Sequence, residues 1–175
     1  MSFVYLGERQ ALQLSSALRT TGTQTMKHRR IVVGLSLLAT ASLAVVAAYQ
    51  IGILKHVPEP DLPLLDADKI DSSAEAFQKL STPDAFIGIA SYATTMVLAA
   101  MGGPDRARKY PLVPLALAAK VGFDVANAGK LAVDQWTKHK AFCSWCMLAA
   151  AATFATAPFV LPEAKEALAA VARKH

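Results

Sequence analysis

The sequence predicts an all-α integral membrane protein, a four-helix bundle with a short interfacial helix in its first outer loop. Three observations carry this. The 175 residues are 54% hydrophobic with a mean hydropathy of +0.34, more apolar than a soluble domain of this size. The apolar residues gather into four long runs. The basic residues that give the net charge of +5 form short clusters beside those runs, with no aromatic face for stacking bases; this points to membrane lipid, not nucleic acid.

Residues 1–26 are polar and Ser/Thr-rich without clear periodicity, and read as disordered; Met26-Lys27-His28-Arg29-Arg30 resembles a natural start ahead of a hydrophobic segment. Ile31 to Leu54 holds 24 residues without a charge, enough to cross a bilayer core of roughly 30 Å. That run exceeds a signal-peptide core, which favours a retained span over a cleaved leader. Lys55 to Pro83 is a polar loop with six acidic residues against three lysines. Within it Ser72 and Glu75 fit a capping box, and Ile70, Phe77 and Leu80 give a short helix one apolar side.

Thr82-Pro83-Asp84 reads as an N-cap, a first-turn proline and a first-turn acid. Span two follows from Asp84 to Met101 and stops at Gly102-Gly103-Pro104. Span three, Leu112 to Val133, is interrupted by Lys120, Asp124, Asn127 and Lys130. The spacing of Lys120, Asp124 and Asn127 puts them on one face, expected to point into the bundle. Span four is Phe142 to Leu161, and Pro162 is expected to begin a helical tail to residue 175. The organisation is therefore an N-terminal segment over 1–30, a membrane domain over 31–161 and a tail over 162–175. Lys and Arg cluster at the N-terminal flank, after span two and in the tail, so the positive-inside rule puts both termini in the cytoplasm and the first loop outside.

Both cysteines of the chain lie in Phe142-Cys143-Ser144-Trp145-Cys146-Met147. A Cys-x-x-Cys pair opening a helix sets two sulfurs on one face beside free N–H groups that favour a thiolate. At the outer end of span four the pair meets an oxidising compartment. A permanent bond over so short a loop adds little stability, so redox chemistry is the stronger reading; a non-catalytic scaffold or ligand-binding subunit with a fixed disulfide is the alternative. His139, Cys143 and Cys146 supply only three metal ligands, so no metal is expected. Covalent haem needs a histidine where Met147 stands. Lys120 and Asp124 form either a bundle-holding ion pair or a functional one. His139 is expected to be a solvated loop residue, and Trp136 and Trp145 to anchor the outer interface.

With four spans, a polar outer loop and Phe142-Cys143-Ser144-Trp145-Cys146 opening span four, the chain resembles the vitamin K epoxide reductase family in its bacterial form. Asp71-Ser72-Ser73, Pro83-Asp84-Ala85-Phe86-Ile87-Gly88 and Tyr92 add to the resemblance, which covers Ile31 to Leu161. It implies a quinone-linked thiol oxidoreductase of a bacterial inner membrane, taking electrons from a thioredoxin-like extracytoplasmic protein. Cys143 would exchange disulfides with that partner and Cys146 would face a ubiquinone or menaquinone. The resemblance places Asp84, Gly88 and Tyr92 toward the quinone; the buried charges of Lys120 and Asp124 are read near it or in proton delivery, and the helix N-terminus with Lys138, His139 and Lys140 is expected to favour the Cys143 thiolate. Three departures stand out: Asp84 occupies the family's amide position, Ala150 an aromatic one, and the first loop lacks the family's second cysteine pair. The expectation is that an external partner reaches Cys143 directly.

Overall fold

A computed structural model describes residues 7–78 and 80–173, which are helical apart from turns and one isolated β-bridge. The elements in chain order are α1 (Glu8–Thr20), α2 (Gln24–Gln50), α3 (Ala67–Asp71), α4 (Ala74–Phe77), α5 (Asp84–Ala100), α6 (Arg106–Lys109), α7 (Leu112–Asp134) with a π-helical turn (Gln135–His139), and α8 (Ser144–Ala172). Three are long and apolar enough to cross a membrane: α2, α7 with its π turn, and α8. The apolar α5 is shorter, with 17 residues, about 25 Å at the helical rise.

The bundle is organised on α2, which packs against both α5 and α8, while α7 closes on α8. Its buried residues Arg29, Val32, Ser36, Ala39, Ser42 and Val46 recur every three or four positions and form a seam. Small residues meet there: Ala39 of α2 and Ala149 and Ala152 of α8 share a core cluster, the means by which helices approach closely where lipid supplies no hydrophobic drive. Hydroxyls on these helices bond back one turn, as Ser42 to Leu38 O at 3.1 Å and Thr156 to Ala152 O at 2.9 Å, which satisfies them inside the core.

Two arginines close one end. Buried Arg29 donates to the carbonyls of Ala99, Ala100, Met101, Gly102 and Gly103 at 2.7 to 3.2 Å. Arg106 donates to Leu98, Ala99 and Met101 and makes a bidentate pair with Glu163, both contacts at 2.7 Å. The orphan carbonyls that end α5 are thereby satisfied by side chains from two other elements, α2 and α6. The chain turns away at Gly102, whose φ of +78° suits glycine.

Several local expectations change. The segment before Met26 carries α1, rich in good helix formers, and Arg30 Nη2 bonds its terminal carbonyls at Leu18, Arg19 and Thr21. Thr23 caps α2 through Met26 N, so the first span's helix begins seven residues before Ile31. The loop helix is two single turns. Asp66 caps α3 by accepting from Lys69 N at 3.0 Å, Ser72 ends that helix, and no Ser72–Glu75 box forms. Thr82 turns back to Leu80 O and does not cap α5. Gln50 of α2 takes that role, its Oε1 accepting from Ala85 N and its Nε2 donating to Asp84 Oδ1 at 2.8 Å. α8 runs unbroken through Pro158 and Pro162, because Glu163, Ala164 and Ala167 beyond them are buried and offset the proline cost of about 3 kcal/mol each. The far end of the expected tail, residues 174 and 175, lies outside the described residues.

Candidate active site

The cysteine motif sits where the first loop folds over the other end of the bundle. Phe142 N donates to Leu64 O at 2.7 Å and Asp66 N to Phe142 O at 3.0 Å, tying the loop to the residue before Cys143. Glu59 reaches from the loop to accept from Ser144 N at 3.2 Å and Ser144 Oγ at 2.9 Å, and its other oxygen accepts from Ala67 N at 2.5 Å. One carboxylate thus satisfies the starts of α8 and α3 together. Trp145 Nε1 donates to Pro58 O, Lys69 Nζ to His139 O, and Gln135 in the π turn accepts from Cys143 N.

Cys143 caps α8, its Sγ accepting from Cys146 N at 3.1 Å. It is 0% exposed. In this arrangement the first loop covers the sulfur, so a protein partner would reach it only after the loop lifts. The cations expected to favour its thiolate are engaged elsewhere: Lys138 and His139 lie 3.6 Å from Glu75, and Lys140 is over the Trp136 ring. His139 is accordingly paired and mostly buried.

Cys146 is half-buried and lines a cavity of about 540 Å³, within the range of small-molecule sites. The lining joins apolar side chains of Leu43, Ile87, Phe123, Leu131 and Met147 to polar ones of Asp71, Asp84, Tyr92, Asp124 and Asn127. Of the residues expected toward a ligand, Asp84, Gly88, Tyr92 and Asp124 lie in this wall with Cys146. Gly88 is required by packing as well, since a Cβ there would lie 2.4 Å from Leu43 Cδ1. Ala150, small where the family carries an aromatic, also faces the space.

Lys120 is held one layer behind. Its Nζ donates to Ser91 O, Ser91 Oγ and Thr95 Oγ1 and pairs with Asp124, which also accepts from Ser91 Oγ. It thus reaches the cavity through Asp124 and Ser91. Asn127 follows on the same helix face and bonds to Phe123 O. Tyr92 Oη shares a 2.7 Å hydrogen bond with Thr153.

Asp71 is the group the sequence did not assign. Cys146 Sγ donates to its Oδ1 at 3.5 Å, and Oδ2 is buried with no hydrogen-bond partner among the described residues. Burial pushes its carboxyl up to about 6 against hydrogen bonds from the two thiols, and the negative charges of Asp84 and Glu59 add to the rise. The donor atoms of Asp71, Cys143 and Cys146 all lie within 4.8 Å of one another. That is three donors where a closed zinc site takes four.

A dithiol opening a helix, capped by a loop and facing an apolar cavity inside a helical membrane bundle, defines a class of membrane redox protein. The sequence model of the vitamin K epoxide reductase family matches residues 30–161, and the chain belongs to that family. No curated protein and no solved structure matches it. Enzymes of this family act with quinones, and membership points to membrane thiol–quinone oxidoreduction. The cavity fits such a group: its wall is apolar enough for a ring, and the buried unpartnered oxygen of Asp71 stands beside Cys146 at its edge.

Proposed function

We propose that this protein is a thiol:quinone oxidoreductase of a bacterial inner membrane, passing electrons from an extracytoplasmic thioredoxin-like partner through Cys143 and Cys146 to a ubiquinone or menaquinone. The carrying observation is that Cys146 opens onto the apolar cavity while Cys143, three residues before it, lies under the loop. In this reading α5 is the fourth span, both termini are cytoplasmic and α3 and α4 lie at the outer interface. Support comes from the basic residues gathered at the opposite end, Arg29, Arg30, Arg106, Arg108 and Lys109.

The quinone supplies a two-electron, two-proton acceptor when bound. The chain's own part begins with lifting the loop, which uncovers Cys143 for disulfide exchange with the partner. Cys146 then faces the ring space. Asp84, Gly88 and Tyr92 shape its wall, and Asp124, held by Lys120 and Ser91, sets a polar group at its far side. With no cysteine in the loop, the partner dithiol itself delivers the electrons.

The test is purified protein given a reduced thioredoxin-like donor and each quinone in turn, read by quinol absorbance. The parent is expected to turn over and Cys146→Ser to form no quinol. A Cys146→Ser protein as fast as the parent would overturn the proposal.

A further inference from the structure

The family reading assigns the two sulfurs and the ring space but leaves open where the Cys146 proton goes. Bulk water is not its nearest neighbour, because the sulfur sits on α8 under the first loop and faces the cavity wall. Among the described residues one carboxylate accepts from it. Asp71 Oδ1 lies 3.5 Å from Cys146 Sγ, the residue is 3% exposed, and its second oxygen is buried without a partner among the described residues. A buried carboxylate is ordinarily given its full set of donors, since an unmet lone pair costs free energy. The same chain shows this elsewhere: both oxygens of Glu59 and both of Glu163 are bonded. Asp71 has spare acceptor capacity in the one place where a thiol must ionise.

We infer that Asp71 takes the proton from Cys146 and returns it, acting as the general base and acid of the inner sulfur. This rests on the redox reading of the pair. In the forward step the S–H bond of Cys146 breaks, an O–H bond forms on Asp71, and the electron pair stays on sulfur as thiolate; no oxidant is consumed. When a partner dithiol later reduces the Cys143–Cys146 disulfide and is itself oxidised to a disulfide, the carboxylic acid gives the proton back to the departing Cys146 thiolate.

The groups facing Asp71 suit such an exchange. From α8 come the two thiols, from α5 the carboxylate of Asp84, and from the loop that of Glu59. From α2 only the neutral Gln50 amide arrives, bonded to the Asp71 carbonyl. Nearby, Lys138 Nζ and His139 Nε2 each lie 3.6 Å from a Glu75 oxygen. Among the described residues no cation pins Asp71 as a permanent carboxylate, so it changes protonation near neutrality, with its carboxyl at about 6.

The two groups then titrate as a pair. Above the first transition they share one proton, and a constant fraction of that state has the proton on oxygen and the sulfur ionised. The experiment is alkylation of the reduced full-length protein in detergent by iodoacetamide, with Cys146 identified by peptide mass spectrometry, from about pH 4.5 to about pH 9. The parent rate is expected to rise to about pH 6 and then level off. In Asp71→Asn it is expected to rise about tenfold per pH unit with no such break. Asp84→Asn is expected to keep the break and move it to lower pH, because one of the charges that raises Asp71 is gone.

A parent profile without the break, or a break that survives Asp71→Asn, overturns the inference. Should Asp71→Asn fail to fold, the parent profile and the direction of the Asp84→Asn shift decide it. Quinol formation is read separately on the parent. Turnover without the break refutes the role of Asp71 and leaves the redox reading intact, whereas the break without turnover shows the proton coupling of the pair and overturns the redox reading, and with it the catalytic use of Asp71.

Discussion

The two ends of the bundle handle buried charge in opposite ways. At the arginine end, Arg29 and Arg106 are nearly inaccessible, yet together they donate to the last carbonyls of α5 and to both oxygens of Glu163. At the cysteine end, Asp71 lies near the carboxylates of Asp84 and Glu59 with no cation paired to it among the described residues, and it keeps an unmet oxygen. A fully satisfied polar cluster holds helices in register. An incompletely satisfied one stores a preference for changing its protonation, which marks it as the place for chemistry.

The comparison is broken most severely at the arginine end. Glu163→Leu strands a buried guanidinium and is expected to lower stability by about 3–5 kcal/mol, seen as a lower unfolding temperature in detergent, while Cys146 alkylation keeps its pH profile. The cysteine end is expected to respond in the other direction. A carboxyl raised from 3.8 to about 6 in the fold means the folded state prefers the acid, so the destabilisation is absent at low pH, grows between those two values and is complete above the higher one. Asp71→Asn is therefore expected to gain about 3 kcal/mol at pH 7.5, and its unfolding temperature should lose the parent's rise between pH 7 and pH 5. A variant no more stable than the parent would show that the site is not strained.

Smaller effects sharpen the contrast. Glu59→Gln weakens charge-assisted bonds to Ser144 and Ala67 worth about 1.5–3 kcal/mol, so Cys143 under the loop should be labelled about tenfold faster or more, with global stability falling by no more than that amount. Arg108→Ala removes an ion pair whose arginine side chain is 78% exposed. It is expected to change stability by less than about 1 kcal/mol and to leave both ends as they were.

Much of the bundle was legible because a lipid-facing helix writes itself as an uninterrupted apolar run. Span two was placed at Asp84–Met101 and the helix is Asp84–Ala100; span three was placed at Leu112–Val133 and the helix is Leu112–Asp134. The three-and-four spacing of Lys120, Asp124 and Asn127 likewise gave their common face. What the chain did not disclose were partners set by tertiary approach. Arg29 reads as a flanking charge, and only the turn at Gly102 brings five carbonyls around it. Glu59 and Asp71 stand 85 and 75 positions from the residues they meet in the cysteine motif, with no periodicity to link them. Asp71 was visible as part of Asp71-Ser72-Ser73, but its meaning depends on which side chains surround it. Pro162 misled in the opposite sense, since a helix breaker is overruled when the turn beyond it carries a buried ion pair.

Because α8 continues through both prolines, Cys146 and Glu163 stand on one rod of 29 residues, about 43 Å from end to end. Glu163 is pinned by the guanidinium of Arg106, so the sulfur near the other end is held at a set height along the bundle. The headgroup plane then acts as a ruler. In the proposed function a lipid-borne ring must come to that level to meet the thiol, and a thicker or thinner membrane would alter how often it does.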